Sequence, residues 1–442
     1  MTAGAPRRMR LGMLIGSVGN HQGAWRRPGS RVEEITSLDL YTDLARWAEA
    51  AKLDALFIAD GLTLETSRIK AGPFGHLEPI TLLSALAGRT ERIGFIGSIS
   101  TTFTEPYNLA RQMASLDHIS GGRAAWNIVT SAWGEVNFGG RPLPSHAERY
   151  ARAEEFVEVV TKLWDSWSDD AIVADRAGGT YARPEQVQRI DHVGPHFHVE
   201  GPLNVPRSPQ GRPVLVQAGS SPDGKAFAAR HAEVVFTAQQ TPEDSRDFYR
   251  DLKARVAAAG RDPEKVLILP GVSPIVAPTE TEARALAKEL RELINVEIGL
   301  ERLQKQLGGV DLSGLDLDGT IPPEILPPVE TVQGRQSRYG VFKELAVTEG
   351  YSIRRLIEME VSSSGHWVPV GAPEQIADLL TERFTGGGSD GFVLLPSYLP
   401  EGVRLLTDAV VPILRDRGLF RRDYEGATLR ENLGLDRPSV RR

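Results

Sequence analysis

The sequence has no cysteine in its 442 residues. This absence excludes disulfide bonds, thiol catalysis and metal sites with thiolate ligands. No run of apolar residues reaches the length of a membrane-spanning helix, and the first residues lack the apolar stretch of a signal peptide. We therefore expect a cytoplasmic protein that does not bind a membrane.

An excess of basic residues is also missing. Lysine and arginine number 51 against 58 acidic residues, which gives a net charge of −7. No stripe of basic residues alternates with aromatic ones, so nucleic acid is not an expected partner. The arginines near the two ends are expected to lie in solvated tails; they are Arg7, Arg8, Arg10, Arg437, Arg441 and Arg442.

The chain does contain a regular alternation of apolar runs, which predict buried strands, with amphipathic patterns, which predict helices. The predicted strands cover residues 11–16, 54–60, 92–101, 123–131, 213–220, 233–238, 266–276 and 391–396. Fully apolar strands are typical of a parallel sheet covered by helices. Eight such units predict an α/β fold of the (β/α)8 TIM barrel type with insertions. An open doubly wound sheet is the alternative, but no Gly-x-Gly-x-x-Gly follows the first strand.

Two long segments interrupt this alternation. We expect a single domain over residues 1–442, with insertions at about 168–210 and 294–364 and a C-terminal tail from about 421. Insertions of this length inside a compact domain are usually lids, binding loops or oligomer contacts. The tail is expected to be a strap on the surface.

Polar residues follow several of the predicted strands. In a barrel the carboxyl ends of all strands lie at one mouth. The residues at those ends are Asp60, Ser100, Thr101, Asn127, Thr130, Ser131, Ser220 and Ser221. Such a rim suits a large polar cofactor held by hydrogen bonds, and it lacks the paired carboxylates of glycosidases and the Gly-x-Ser-x-Gly elbow of hydrolases. Taken singly, each residue is also typical of an ordinary strand-end turn.

Ser220 and Ser221 stand where a predicted strand leads directly into a helix. Hydroxyls and free N–H groups at a helix N-terminus can bind an anionic group such as a phosphate. The alternative is an ordinary turn and helix cap. His146 and Tyr150 lie four residues apart at the start of another helix, so both can face one ligand. The alternative for this pair is a surface histidine beside a half-buried tyrosine.

Two further segments carry polar residues whose role, structural or functional, the sequence alone does not decide. The histidines at 192, 196 and 198 suggest a metal site, but a loop of solvent-exposed imidazoles is favoured because Gly-Pro interrupts the run. Residues 20–26 predict either a loop anchored by Trp25 or a substrate-facing lid with His21. Aromatic residues that could line a substrate pocket are Trp25, Phe74, Trp133 and Trp367.

The sequence resembles a known family, the nitrilotriacetate monooxygenase group of the bacterial-luciferase-like superfamily. The motifs that carry the resemblance are Asn20-His21-Gln22-Gly23-Ala24-Trp25-Arg26, Ala114-Ser115-Leu116-Asp117-His118-Ile119-Ser120-Gly121-Gly122-Arg123, Trp126-Asn127-Ile128-Val129-Thr130-Ser131, Glu148-Arg149-Tyr150 and Gln217-Ala218-Gly219-Ser220-Ser221. The resemblance covers most of the chain and is weakest at residues 308–329 and in the C-terminal tail.

The resemblance implies a barrel enzyme that uses FMN in its reduced form, FMNH2, supplied by a separate NAD(P)H:flavin reductase. Such an enzyme inserts one atom of O2 into a small organic substrate, uses no metal and is a homo-oligomer. The positions similar to the family's flavin contacts are Asp60, Thr101, Asn127, His146, Tyr150, Ser220 and Ser221, and His146 is the expected catalytic residue. Ser100 and Thr102 are adjacent to Thr101 and stay open as alternatives to it. Two alternatives stay open, a deazaflavin-dependent dehydrogenase and a flavin-binding protein without catalysis.

Overall fold

A closed barrel of parallel strands forms the centre of the protein. The computed structural model describes residues 7–66, 69–73 and 77–440. Within them eight strands close the barrel in the order β1-β8-β7-β6-β5-β4-β3-β2. Their bounds are β1 (Arg10–Leu14), β2 (Ala55–Ile58), β3 (Gly94–Ser100), β4 (Ala124–Val129), β5 (Val214–Ala218), β6 (Val234–Thr237), β7 (Leu267–Val272) and β8 (Gly391–Leu394). The predicted (β/α)8 TIM barrel is confirmed.

Side chains on both faces of the strands are buried, which explains why the strands are apolar throughout. Ile96, Val216 and Phe236 point into the barrel and belong to a single interior cluster of apolar residues. Phe95 and Trp126 point outward and pack against the surrounding helices. A strand buried on both faces cannot alternate between apolar and polar residues.

Helices follow the strands and cover the outside of the barrel. The helices of the described residues are α1 (Leu38–Ala50), α2 (Pro79–Ala87), α3 (Pro106–Ser120), α4 (His146–Trp164), α5 (Pro222–His231), α6 (Pro242–Ala258), α7 (Glu280–Glu292), α8 (Val296–Gln306), α9 (Gln336–Val347), α10 (Ile353–Ser363), α11 (Pro373–Thr385), α12 (Glu401–Leu405), α13 (Val411–Asp416) and α14 (Leu429–Leu433). Among them, none is long and apolar enough to cross a membrane.

The two predicted insertions have different structures. Residues 168–210 contain two short antiparallel hairpins, Ile172–Asp175 with Thr180–Ala182 and His192–Val193 with His198–Val199. Residues 294–364 contain α8, α9 and α10, which share an apolar cluster of their own. The division of the chain into one domain with two insertions stays a prediction.

The C-terminal tail is not a strap on the surface, and that prediction is wrong. Leu429 and Leu433 of α14, together with Leu435, are buried in the interior cluster of the barrel. The N–H of Leu429 donates to the carbonyl of Gly122 (2.9 Å), just before β4 begins. The tail therefore closes the end of the barrel at which the strands start, because the apolar residues at that end would otherwise face water.

The arginines of both ends are also not solvated tails, and that prediction is wrong for the described ones. Arg7 Nη2 lies 2.9 Å from Asp390 Oδ1, and Arg437 Nη1 lies 2.8 Å from Asp169 Oδ2. Arg441 and Arg442 lie outside the described residues. The N-terminal end is thus paired with Asp390, which directly precedes β8, and the C-terminal end with Asp169 of the first insertion.

Leu429→Ala tests the packing of the tail. The substitution removes a buried side chain from the closed end of the barrel, so we expect the free energy of unfolding to fall by about 2–5 kcal/mol. Urea unfolding followed by circular dichroism measures this change. Ile119→Ala on α3 is the control, because its side chain is 57% exposed and should change stability by less than about 0.5 kcal/mol. Equal effects of the two substitutions would contradict a buried plug.

Candidate active site

A cavity of about 550 Å³ opens at the carboxyl ends of the barrel strands. It is lined by residues of the strand ends and by residues of α8, α9 and α10. A larger cavity of about 860 Å³ lies on the outer wall, between α4 and the segment around His192. The chemical groups predicted from the sequence face the first cavity, and its volume lies in the usual range for a small-molecule site. We therefore consider the first cavity the candidate active site.

Ser220 and Ser221 are fixed at the point where β5 leads into α5. The hydroxyl of Ser221 accepts a hydrogen bond from the N–H of Gly224 (3.1 Å) and caps the helix. The hydroxyl of Ser220 lies 2.8 Å from Thr237 Oγ1, at the end of the neighbouring strand β6. Capping and anion binding are compatible here, because a serine hydroxyl that accepts from the backbone still has a proton to donate.

Tyr150 approaches the same helix end because two glycines leave room for it. A Cβ atom added at Gly224 would lie 3.1 Å from the Tyr150 hydroxyl, and one added at Gly219 would lie 3.4 Å from it. Burial raises the pKa of Tyr150, which hydrogen bonds with Ser221 and Thr130 only partly offset. The phenol is therefore protonated at neutral pH and can donate a hydrogen bond.

His146 is the first residue of α4 and lies between Ser145 and Glu148, which form the capping box of this helix. Its Nδ1 lies 3.0 Å from Asp223 Oδ2, and its ring centre lies 4.8 Å from that of Tyr150. Burial and the charge of Arg149 lower the pKa of His146, and they outweigh the opposite effect of Asp223. A neutral imidazole that donates from Nδ1 to Asp223 keeps its free electron pair on Nε2.

Asn127 and Asp60 offer a buried amide and a carboxylate to the cavity. Asn127 is buried, and its Nδ2 donates to Ser98 Oγ (2.8 Å). Its Oδ1 has no hydrogen-bond partner within the described part of the chain. Asp60 is open to solvent, yet the surrounding protein raises the pKa of its carboxyl through desolvation. A buried carbonyl oxygen without a partner is costly, so a polar ligand group facing Asn127 would stabilise the site.

Thr101 is the one predicted contact that the structure places outside the cavity. It is completely buried, and its hydroxyl donates to the carbonyl of Val129 (3.3 Å). Ser98 and Ser100 line the cavity instead, because side chains alternate between the two faces of β3. The structure thus brings six of the seven predicted flavin contacts around one cavity, namely Asp60, Asn127, His146, Tyr150, Ser220 and Ser221.

The loop of residues 20–26 has the structure of the anchored loop rather than of a lid that presents His21. His21 is buried, and its Nδ1 accepts a hydrogen bond from the N–H of Gly23 (3.1 Å). Trp25 Nε1 donates to the carbonyl of Ala71 (2.8 Å). Asn20 lines the cavity in place of His21.

Of the aromatic residues expected to line the pocket, the structure places only Trp133 there among the described ones. Trp25 and Trp367 lie elsewhere, the latter with the guanidinium of Arg383 over its ring. Phe74 lies outside the described residues.

The histidine-rich segment is not a loop of exposed imidazoles throughout. His196 and His198 are exposed, but His192 is buried with its Nε2 2.9 Å from Glu155 Oε1. Glu155 also accepts the backbone N–H groups of His196 (3.0 Å) and Phe197 (2.9 Å). The prediction is therefore wrong for His192, since α4 supplies a buried carboxylate for it. The residues that the structure describes contain no cluster of three or more histidines and carboxylates that could hold a metal.

Sequence reasoning missed the other side of the cavity. Residues of the second insertion lie there, together with His366 just after it; those of the insertion are Arg302, Lys305, Gln306, Gly334, Arg335, Gln336, Ser337, Arg338, Val341, Glu360 and Ser364. The arginines three residues apart at the start of α9 were a visible signal. The sequence could not show which part of the barrel the insertion covers.

Comparisons with known proteins match nearly the whole chain. The sequence profile described as Luciferase-like monooxygenase matches residues 9–390. The chain is 46% identical to the N-acetyl-S-(2-succino)cysteine monooxygenase of Bacillus subtilis (strain 168) and 47% identical to nitrilotriacetate monooxygenase component A of Aminobacter aminovorans, with 98% of each chain covered in both cases. A crystal structure of riboflavin lyase with modified FMN and riboflavin superposes with a TM-score of 0.86, at 32% identity and 98% coverage of both chains.

We expect His21 to make stability depend on pH between about 6.5 and about 4. Burial lowers the pKa of His21 from 6.5 to about 4. In that interval the unfolded chain binds more protons than the folded protein. The free energy of unfolding therefore falls as the pH falls, by up to about 3 kcal/mol from this residue.

His21→Asn is the matched variant, since it keeps an acceptor for the Gly23 N–H and does not titrate. Urea unfolding at a series of pH values should show a steeper loss of stability in the wild type than in His21→Asn. Parallel curves would show that His21 is not held neutral by burial.

Proposed function

We propose that this chain, which belongs to the luciferase-like monooxygenase family, is an FMNH2-dependent monooxygenase. In this proposal it inserts one oxygen atom of O2 into a small organic substrate. It receives reduced FMN from a separate NAD(P)H:flavin reductase. The name of one relative, component A, supports an enzyme made of more than one component.

The observation that carries the proposal is the cluster of donors at the N-terminus of α5. The hydroxyls of Ser221 and Tyr150 converge beside Gly219 and Gly224, where a side chain would fill the space, and Ser220 lines the same cavity. Hydroxyl donors at a helix N-terminus are well suited to a phosphate group. The residues present therefore fit FMN, with its phosphate held at this helix end.

The polar groups of the cavity fit the rest of the cofactor. Asn127 Oδ1 is buried and has no partner among the residues that the structure describes, and Asp60 and Ser100 stand at neighbouring strand ends. We assign them to the hydroxyls and the ring edge of FMN, with Ser100 rather than Thr101 as the contact from β3. When bound, reduced FMN supplies the reaction with O2, which the protein side chains cannot supply themselves.

His146 is the proposed catalytic residue. Its Nε2 carries a free electron pair when Nδ1 donates to Asp223, so Nε2 can accept a proton from a reacting group in the cavity. The second insertion covers the same cavity and would exclude water from it. Trp133, at the cavity, contacts two cationic residues of the insertion. Lys305 Nζ lies 4.9 Å and the Arg335 guanidinium 5.0 Å from the centre of its ring.

Binding of FMN tests the cofactor assignment. We expect Tyr150→Phe and Ser220→Ala each to raise the Kd for FMN about 5- to 20-fold, because each removes one hydrogen-bond donor. Quenching of FMN fluorescence measures the Kd. Tyr181→Phe is the matched control, since Tyr181 is 65% exposed. Wild-type affinity in both site variants, or tighter binding of a deazaflavin than of FMN, would contradict the assignment.

The acidic limb of the pH–rate profile tests His146. The charge of Asp223 raises the pKa of His146, so Asp223→Asn should lower that pKa further while keeping the hydrogen bond. Activity that needs neutral His146 then persists to lower pH, and the acidic limb of kcat shifts downward. We expect His146→Gln to lower kcat about 100-fold or more and to abolish the limb.

These rates are measured with a generic flavin reductase, and incorporation of isotopically labelled O2 into the product identifies oxygen insertion. N-acetyl-S-(2-succino)cysteine and nitrilotriacetate are the first substrates to test, because relatives carry their names. An acidic limb that does not move in Asp223→Asn would remove His146 from the mechanism.

A further inference from the structure

The candidate active site has a second wall whose chemistry differs from that of the barrel mouth. Within the described residues, five cationic side chains and three carboxylates line the cavity. The cations are Arg149, Arg302, Lys305, Arg335 and Arg338, and the carboxylates are Asp60, Glu65 and Glu360. The cavity is therefore positively charged in a chain whose net charge is −7. Such a contrast attracts anions to the cavity.

Two of these cations are already neutralised by partners. Arg302 Nη2 lies 3.0 Å from Glu360 Oε1, and Lys305 Nζ is paired with Glu65. Arg335 and Arg338, by contrast, form no salt bridge with a carboxylate in the part of the chain that the structure describes. Arg149 donates to the backbone carbonyls of Pro144 and Gln333 and also has no ion pair among the described residues. Three cations without a carboxylate partner therefore line the cavity, and two of them stand together at the start of α9.

Arg338 is held in place but keeps part of its guanidinium unsatisfied. Its Nη2 donates to His366 Nε2 (2.5 Å), while its Nη1 is buried without a hydrogen-bond partner among the described residues. Burial, followed by the charge of Arg335, lowers the pKa of Arg338 to about 10, so it stays charged at neutral pH. A buried guanidinium N–H group without a partner is costly unless an anion binds it.

His366 can hold the Arg338 guanidinium in place because its own ring stays neutral. Burial, and after it the charge of Arg338, lowers the pKa of His366 well below its usual range. A neutral ring can accept a hydrogen bond at Nε2, which a protonated one cannot. His366 therefore fixes the direction of the Arg338 guanidinium without competing for its charge.

Arg335 stands one turn earlier, at the N-cap of α9. Its guanidinium lies 5.0 Å from the ring centre of Trp133, and its side chain does not cap the helix. Gln336 and Ser337, the first residues of α9, also line the cavity. Two guanidinium groups at an uncapped helix start are a favourable arrangement for an oxyanion, because the helix dipole adds to their charge.

We propose that Arg335 and Arg338 bind a carboxylate of the substrate, so that this enzyme acts on small organic acids with one or more carboxylates. This inference rests on the proposed function, since it assigns the substrate end of the same cavity. The strand-end hydroxyls and amide then hold the cofactor, and the start of α9 selects the substrate by charge. A neutral substrate of the same shape would leave both guanidinium groups without a partner.

Calorimetric titration with propane-1,2,3-tricarboxylate and with its trimethyl ester tests this assignment. The titration is made on the whole protein, with and without oxidised FMN. We expect the wild type to bind the acid at least about tenfold more tightly than the ester. Arg335→Gln and Arg338→Gln should each weaken binding of the acid about tenfold or more and leave binding of the ester unchanged.

Lys343→Gln is the matched control on the same helix. Lys343 Nζ donates to the carbonyl of Pro327 (3.4 Å), away from the cavity lining, so this loss of one charge should leave binding of the acid unchanged. The inference is overturned if the wild type binds acid and ester equally or binds neither. It is also overturned if the arginine variants bind the acid like the wild type.

The FMN titration separates this inference from the proposed function. We expect the Kd for FMN to stay within about twofold of the wild type in both arginine variants, because other residues hold the cofactor. A loss of FMN affinity in these variants would assign the arginines to the cofactor phosphate and overturn the inference. A wild-type protein that binds the acid but not FMN would contradict the proposed function alone.

Discussion

The pairing of β1 with β8 is the interaction on which the site depends. Without it the eight strands would form an open sheet, and β1 would have a free edge. Because the pairing is parallel throughout, the carboxyl ends of all strands meet in one ring. Residues as distant in sequence as Asp60 and Ser220 therefore face the same cavity. Closure gives the cavity its floor and most of its hydrogen-bonding groups.

The order of strands and helices could be predicted from the sequence because each strand is buried on two sides. Gly391–Leu394, for example, is buried at every position, and its apolar run is visible without any structure. The polar residues at the strand ends could be predicted as well, because each of them follows a recognisable apolar run. The choice between Ser100 and Thr101 could not be made, because it depends on which face of β3 points inward, and that is set by pairing with the neighbouring strands.

The predictions that failed concern residues whose environment is set by contacts between distant parts of the sequence. Leu429 and His192 lie in segments whose sequences resemble surface loops, and their partners come from remote parts of the chain. Leu429 is buried against the barrel interior, and His192 is paired with Glu155 of α4. A local pattern indicates that a residue is apolar or ionisable, but the element that covers it is decided by the packed fold.

The second insertion carries its own apolar cluster, centred on residues such as Tyr339, Phe342 and Leu356. Its helices are thus stabilised separately from the interior of the barrel. The polar residues on the face of α9 toward the cavity, Gln336, Ser337 and Arg338, can change without disturbing the strands, because they belong to neither apolar cluster. The arrangement separates the part of the protein that we propose to hold the cofactor from the part that we propose to distinguish substrates.

The burial of α14 has a consequence for biosynthesis. The ribosome releases all eight strands before the residues of α14 that seal their starting ends. A growing chain that has completed all eight strands still exposes an apolar opening at one end. Molecular chaperones that shield such openings, and proteases that remove truncated products, would therefore act on this protein until α14 is released.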